Sequence, residues 1–426
     1  MANVVPVHKN GSREDPGNFR PISLTCIACK LLEHIVLSNI NEDLENIIYS
    51  NQHGFRKGLS CSTQLVSTVN EIMKLVDNNN IVHAAVLDFS KAFDKVSHGL
   101  LIDKLIKSNI NPYMVNWIRD FLSNRLQRVV IEGVASSDLL VSSGVPQGSV
   151  LGPTLFLVYI NDISDNLKFS TIKLFADDAL LFSQVNTLQD SVNFQEDLNI
   201  LDQWAYNWKM NFNTDKCQIV RFARQSSGNP DVVYYLSGRP LSLVDSFKYL
   251  GVFISDDFNW DLHIDSVISK ARQRLGMMKH VLFNAPMRVR RVAYLTLCRP
   301  ILEYASEVWD PHLMRQVTSL EAVQRKAVRF ISGLRGRQSV TEARIFIDIE
   351  LLELRRKHAR MSLMLKILSD DCHKSLIESF NQIQNNLHNH ETRLVTGGAP
   401  SAVCANTGFY MNSFLPRTSR NLRGLP

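Results

Sequence analysis

"LFADDAL" at residues 174–180 decides how the rest of the chain is read. It sets two adjacent carboxylates, Asp177 and Asp178, inside an otherwise apolar stretch. Taking an ionised carboxylate out of water costs several kcal/mol unless it is paired or bound to metal. Neighbouring aspartates between apolar residues therefore need a reason. One reason is local, because Asp is a common residue of two-residue hairpin turns. The other is a site.

Upstream, "IVHAAVLDF" (81–89) reads as a mostly buried strand that runs into one carboxylate, Asp88. "STIKLFADDALLF" (170–182) reads as strand, turn, strand. A strand ending in Asp88 beside a hairpin tipped by Asp177-Asp178 brings three carboxylates to one end of a sheet. They repel unless divalent cations neutralise them. Hard oxygen donors suit Mg²⁺. Two such ions roughly 3.5–4 Å apart clamp the attacking and leaving oxygens of an in-line phosphoryl transfer. Jointly the three aspartates point to nucleotidyl transfer.

Between them, "SGVPQGSVLGP" (143–153) is a glycine-bearing loop that enters a buried helix, with Pro153 near its first turn. Glycine lets backbone approach a ligand closely, and Gln147 offers a donor and acceptors. Lys9 in "PVHKNG", Arg20 in "FRPISL", and Arg56 and Lys57 in "HGFRKG" are cations suited to phosphate oxygens. Taken singly, each also reads as surface charge.

The remaining pattern is mixed. Helices are expected at about 30–48, with Leu31, Ile35, Ile40 and Leu44 on one side, and at 62–77. A helical stretch at 98–122 breaks near Asn111-Pro112, and another at 188–210 turns Leu188, Val192, Leu198, Leu201 and Trp204 inward. "QRVVIEG", "DLLVSSGVPQG", "CQIVRF" and "SFKYLGVFI" read as strands. After about 258 the chain turns helical. Trp260, Ile264, Val267, Ala271, Leu275, Met278 and Leu282 recur at helical spacing, and further helices are expected at 287–309, 317–332 and 350–368.

At 426 residues, 45% hydrophobic and 21% charged, the chain has material for two or three packed units. No apolar run approaches the roughly 20 residues of a membrane span, and "MANVVPVHKNGSRED" lacks a signal peptide's apolar core. The expectation is a soluble, intracellular protein without membrane contact. Seven scattered cysteines suggest free, mostly buried thiols. Cys26 and Cys29 form one C-x-x-C, for which Cys372-His373 is the only candidate second half of a zinc site. "HNH" at 388–390 is too short to mean a nuclease. The net charge is +6, but residues 270–360 hold 19 Lys or Arg against 8 Asp or Glu, so that segment carries the whole basic excess. Against a merely solvated helix surface, a face for a phosphate backbone is the sharper reading.

In order and spacing, "NFRPISL", "HGFRKGLSCSTQL", "AAVLDFSKAFDKVSHGLL", "SGVPQGSVLGPTLFLVYINDI", "LFADDALLF", "LDQWAYNWKMNFNTDKC" and "FKYLGVFI" resemble the reverse transcriptases of non-LTR retrotransposons, the LINE elements of the jockey-like kind. The resemblance covers about residues 4–256. A weaker likeness in "RPILEYASEVW" and "LEAVQRKAVRFI" reaches into what would be the thumb.

The resemblance implies an α+β right-hand polymerase. Fingers would come from residues 1–80 with part of 105–140, the palm from 81–252, and a basic helical thumb from 253–340. Residues 341–426 receive no role. The implied activity is RNA-directed DNA synthesis, with an RNA template, a DNA primer, dNTPs and two Mg²⁺ ions, or Mn²⁺ in their place. Asp88 and Asp177 would ligate both metals and Asp178 would assist. Lys9 and Arg20 would meet the triphosphate. Phe93, five residues after Asp88, would exclude a 2′-hydroxyl. Gln147 and Gly148 would lie by the incoming nucleotide, and Lys216 would be general acid to pyrophosphate. Arg56 and the stretch Tyr249-Leu250-Gly251 would serve template and primer, while Asp94, His98 and His263 read as structural. The site of action would be nuclear; the oligomeric state stays open.

Such elements usually carry an endonuclease ahead of the polymerase and often a Cys-His knuckle. This chain starts at the first polymerase motif and shows neither, and its end, "NLRGLP", lacks the usual tryptophan. A truncated copy or an internal start is one reading. A silent relic that only binds RNA or RNA–DNA hybrid is the alternative function. An RNA-templated RNA polymerase is a further rival, against which Phe93 speaks.

Overall fold

The structure, a computed structural model, describes residues 1–9, 11–224, 232–334, 338–368, 403 and 405–423. The chain opens with an antiparallel pair, β1 (Ala2–His8) and β2 (Phe19–Leu24), in which Val7 faces Arg20. Two helices follow, α1 (Ile27–Ile47) and α2 (Cys61–Asp77). A reciprocal cap between Ser60 and Thr63 starts α2. On α1, Leu31 and Ile35 are exposed; Val36, Ile40 and Leu44 are buried, with Glu33 among them. The expected stripe was therefore rotated in its first half, because a buried acid holds the inward position.

Strand β3 (Val82–Leu87) comes next, then the short α3 (Ala92–Lys95), α4 (His98–Lys107) and α5 (Pro112–Leu122), the last two split where Asn111 caps and Pro112 takes the first turn. Strand β4 (Leu126–Ile131) runs parallel to β1 and takes two short partners, β5 (Val134–Ala135) and β6 (Leu139–Leu140). Of the strand expected in "DLLVSSGVPQG", only β6 forms. The rest is loop leading to α6 (Leu151–Ile160). Then come the hairpin β7 (Thr171–Phe175) and β8 (Asp178–Gln184), helix α7 (Leu188–Asn207) and strand β9 (Gln218–Phe222). Leu188 and Val192 of α7 are exposed, while Phe194, Leu198, Leu201 and Trp204 are buried. The helix start is capped by Thr187 and Asp190.

After β10 (Tyr235–Leu236) and β11 (Arg239–Pro240), the strand β12 (Ser242–Leu243) completes a sheet of order β12-β9-β3-β8-β7. Its side chains alternate with period two. Val82, Ala84, Leu180, Phe182, Val220 and Phe222 face one core; Ala85, Leu87, Ala179, Leu181 and Ile219 face the other. Helices cover both faces, which is why these strands read as apolar runs and not as alternating ones.

The hairpin β13 (Ser246–Tyr249) and β14 (Val252–Ser255) leads to the helical half: α8 (Asp261–Val281), α9 (Met287–Ala293), α10 (Arg299–Glu303), α11 (Ser306–Trp309), α12 (Met314–Ser332), α13 (Val340–Phe346) and α14 (Leu352–Leu368). The long helix expected at 287–309 is broken. Residues 294–298 widen into a π turn before Pro300, which has no N–H to give, and Ala305 turns left-handed at φ +51°. None of the helices among the described residues is long and apolar enough to cross a membrane.

The basic excess is partly internal. Arg356 and Arg360 donate to the two oxygens of buried Asp310 at 2.7 and 2.9 Å. Arg290 reaches the carbonyls of Leu282 and Phe330 at 3.2 and 3.0 Å, Arg291 that of Ile347 at 2.6 Å, and Arg344 that of Ile349 at 2.7 Å. Lys270, Arg272, Arg274 and Lys279 on α8, and Arg325 and Lys326 on α12, stay exposed. The chain end packs back. Asp77 of α2 accepts from the backbone of Asn406 and Thr407 at 2.9 and 2.7 Å, and α15 (Gly408–Met411) and α16 (Phe414–Arg423) bury Tyr410, Phe414 and Leu415. Cys372, His373 and "HNH" lie outside the described residues.

Two stability predictions follow from buried charge. Asp310→Ala strands two buried guanidinium groups and should cost about 3–5 kcal/mol in urea unfolding. His263, 3% exposed, accepts from Phe253 N at 3.3 Å. Burial, and then Lys270 and Lys248, hold its pKa at about 4 against an ordinary 6.5. The unfolded chain therefore binds a proton that the fold refuses, and stability falls as pH drops from 6.5 towards 4. His263→Phe should lose less stability than wild type across that window, by up to about 3 kcal/mol. Identical pH slopes in the two proteins would refute this.

Candidate active site

The ladder between β3 and β8 ends with Leu87 opposite Ala179, so Asp88 and the Asp177-Asp178 pair emerge at the same end of the sheet. The β7–β8 hairpin closes through Phe175 opposite Asp178. Its two-residue turn is therefore Ala176-Asp177, with Ala176 left-handed at φ +55°. The two readings of "FADD" thus coincide: a turn carries the first carboxylate of the pair, and the second opens a strand.

Asp88 is tied down by the segment before β9. Its backbone oxygen accepts from Asn213 N at 2.7 Å, its Oδ2 accepts from Asn213 Nδ2 at 3.3 Å, and Lys216 Nζ stands 3.5 Å from Oδ2. Burial raises the pKa of Asp177, and the charge of Asp88 raises it further, against hydrogen bonding to its own backbone N–H and against Lys9 and Arg20. Asp178 is raised to about 6, by burial first, then by Asp177 and Asp88. The local cations do not offset the crowding of negative charge.

This sheet end opens into a cleft of about 1080 Å³, lined on one side by β1, β2 and their connection and on the other by Asp88, Asp177, the segment 89–94 and the 146–148 loop. Lys9, Arg20, Phe93, Gln147, Gly148 and Lys216 all line it, together with Asp88 and Asp177. Phe93 is half-buried. Its ring stacks on Phe156 at 4.3 Å and meets Phe55 edge-on at 6.2 Å. Gln147 donates from Nε2 to Asp94 Oδ1 at 3.0 Å, and its carbonyl accepts from Ser23 N at 2.7 Å. Gly148 has φ +104°, and a Cβ there would lie 2.8 Å from Ser23 O, so only glycine lets the loop rest on β2. His98, expected as structural, bonds Gly144 O through Nε2 at 2.8 Å.

Two expected contacts are placed elsewhere. Arg56 is buried, donating from Nε to Glu45 at 2.9 Å and from Nη1 to the carbonyls of Tyr49 and Gln52 at 3.1 Å each. Its guanidinium secures the chain after α1 instead of facing the cleft. Tyr249 is also buried, its hydroxyl accepting from Gln64 Nε2 at 3.2 Å, and burial pushes its phenol well up. The exposed part of that motif is backbone: Leu250 and Gly251, at φ +45° and +87°, form the β13–β14 turn, and Tyr304 OH donates to Leu250 O at 2.9 Å.

Other contributors were missed. Arg13 and Lys91 add cations to the cleft lining. Glu33, fully buried, accepts from Val150 N and Leu151 N at 2.7 and 3.0 Å. It caps α6, so those N–H groups are taken and are not an anion site. Gln52, 1% exposed, accepts from Ala176 N and Gly54 N at 2.9 and 2.8 Å. A lone Glu in an apolar helix face was the legible signal for Glu33; Gln52 had none.

Among the described residues no three Asp, Glu, His or Cys side chains are gathered closely enough to hold a metal ion as they stand, and the carboxylates that line the cleft are Asp88 and Asp177, whose oxygens are of the hard type that divalent cations prefer. Asp178 stands beside them at the same end of the sheet.

Residues 7–254 match the family described as reverse transcriptase (RNA-dependent DNA polymerase). The RNA-directed DNA polymerase from mobile element jockey of Drosophila melanogaster is 30% identical over 78% of this chain and 37% of its own length. The probable RNA-directed DNA polymerase from transposon BS, of the same organism, is 28% identical over 78% of this chain and 38% of its length. The chain thus spans under two fifths of the curated relatives it matches. Apo telomerase from Candida Tropicalis matches with a TM-score of 0.47 and 10% identity, over 89% of this chain and 65% of that one. With a right-hand polymerase fold and three carboxylates at the end of its central sheet, the chain belongs to the reverse transcriptase family, on the side of the non-LTR retrotransposon enzymes its motifs resemble.

Proposed function

We propose that the chain is an RNA-directed DNA polymerase that adds dNTPs to a DNA primer on an RNA template. The observation that carries this is the convergence of Asp88 and Asp177 on one cleft that also holds Lys9, Arg20 and Phe93. Its fingers are residues 1–80 with part of 105–140, its palm 81–252 and its thumb 253–340. Asp88 and Asp177, with help from Asp178, would hold two Mg²⁺ ions, which would supply activation of the primer 3′-hydroxyl and neutralisation of the departing pyrophosphate. Its DNA product places its work in the nucleus.

The chain's own residues do the rest. Lys9 and Arg20 neutralise and orient the triphosphate, with Arg13 beside them in the same lining. The Phe93 ring, backed by Phe156, lies under the sugar and leaves no room for a 2′-hydroxyl. Gln147 and Gly148 border the incoming nucleotide. Lys216, exposed at the rim, gives its proton to pyrophosphate. The Leu250-Gly251 backbone holds the primer end, and the exposed cations of α8 and α12 follow the duplex backbone.

Primer extension on poly(rA)–oligo(dT) with dTTP and Mg²⁺ tests the proposal. Wild type should extend and Asp177→Ala should not, while both bind the hybrid. Binding by both with extension by neither would leave only a silent hybrid-binding protein. Phe93→Val should admit ribonucleotides, narrowing the preference for dNTPs by about 10- to 100-fold. Unchanged sugar selectivity would remove Phe93 from this role.

A further inference from the structure

The turn that carries Asp177 is not held by its own hairpin alone. Ala176 sits in a left-handed conformation that costs a non-glycine residue about 1 kcal/mol or more. Its two backbone polar groups point at one side chain. Gln52 Oε1 accepts from Ala176 N at 2.9 Å, and Gln52 Nε2 donates to Ala176 O at 3.4 Å. The same Oε1 accepts from Gly54 N at 2.8 Å. The segment around Gln52 is clamped to β7 by backbone as well: His53 N donates to Leu174 O, and Leu174 N to Asn51 O, each at 3.0 Å. The fit is tight. A Cβ on Gly54 would come inside 3.0 Å of Ala176 N. A buried amide far away in sequence therefore holds both backbone polar groups of the residue just before Asp177.

We infer that Gln52 is a positioning residue for the carboxylate cluster. By bonding Ala176 N and O together it locks the turn, and so sets where the Asp177 carboxylate stands relative to Asp88. The segment 51–54 joins the α1–α2 half to the sheet, so the cation-binding geometry depends on that half being docked. Asp88 and Asp178 lie on or beside the β3–β8 ladder and have no such dependence. Outer-shell groups that orient metal ligands typically carry 10- to 100-fold of metal affinity. This inference rests on reading the three aspartates as the cation site.

The test is Mn²⁺ binding followed by electron paramagnetic resonance on the full chain, alongside primer extension. Gln52→Met keeps the volume and removes the hydrogen bonds. Gly54→Ala presses on the same turn from the other side and serves if the first variant does not fold. The expected result is a folded variant that binds Mn²⁺ at least about tenfold more weakly, with unchanged affinity for RNA–DNA hybrid. In an Asp177→Asn background the same substitution should add little, since the ligand it positions is already gone. Unchanged Mn²⁺ affinity in a folded variant, with active wild type, overturns the positioning role and leaves the polymerase proposal standing. Loss of fold in both variants makes the contact merely structural and overturns it too. Wild type that neither binds Mn²⁺ nor extends a primer overturns both readings together.

Discussion

The organising constraint is that three carboxylates leave the same end of one sheet. Strand β3 is paired on both sides, with β8 and β9, and buried on both faces. A one-residue slip in register would exchange the two cores, so Asp88 has no freedom to move along the sheet. The hairpin turn fixes Asp177 just as firmly. Burial, and then the neighbouring like charges, raises the pKa of Asp177 and Asp178. The stability of the sheet, spread over two hydrophobic cores, carries that electrostatic strain.

The cleft wall opposite the carboxylates is made by quite different means. β1 and β2 are partly exposed, and they are held to the site through the Gln147–Ser23 backbone bond and the close approach of Gly148 to Ser23. Glu33 caps α6 from α1 and so fixes the loop that bears Gln147. The two walls of the cleft are thus joined by a few buried polar contacts and not by a continuous core.

Charge in the helical half divides the same way. Much of the arginine excess that looked like a nucleic-acid surface is spent on buried Asp310 and on carbonyls at helix ends. Arginine suits that work because its fork reaches several acceptors at once. Lys270, Arg272, Arg274 and Lys279 on α8 and Arg325 and Lys326 on α12 remain exposed.

The sequence by itself determined the strands in 81–89, 170–182, 217–222 and 246–254, a hairpin turn in "FADD", the break at Asn111-Pro112 and the three aspartates, because period, turn chemistry and an ionised group in an apolar run are local signals. It also identified Lys9, Arg20, Phe93, Gln147, Gly148 and Lys216, all of which line one cleft. The tertiary structure alone decided which polar residues turn inward. Arg56 and Tyr249 look like contact residues in the sequence, yet they spend their polar atoms on Glu45 and Gln64. Leu31 and Leu188 look like core and are exposed. Gln52 and Glu33 give little sign of holding a distant loop and turn. Such roles arise because a buried donor or acceptor must find a partner, and the partner it finds, 124 residues away for Gln52, is set by how the chain packs.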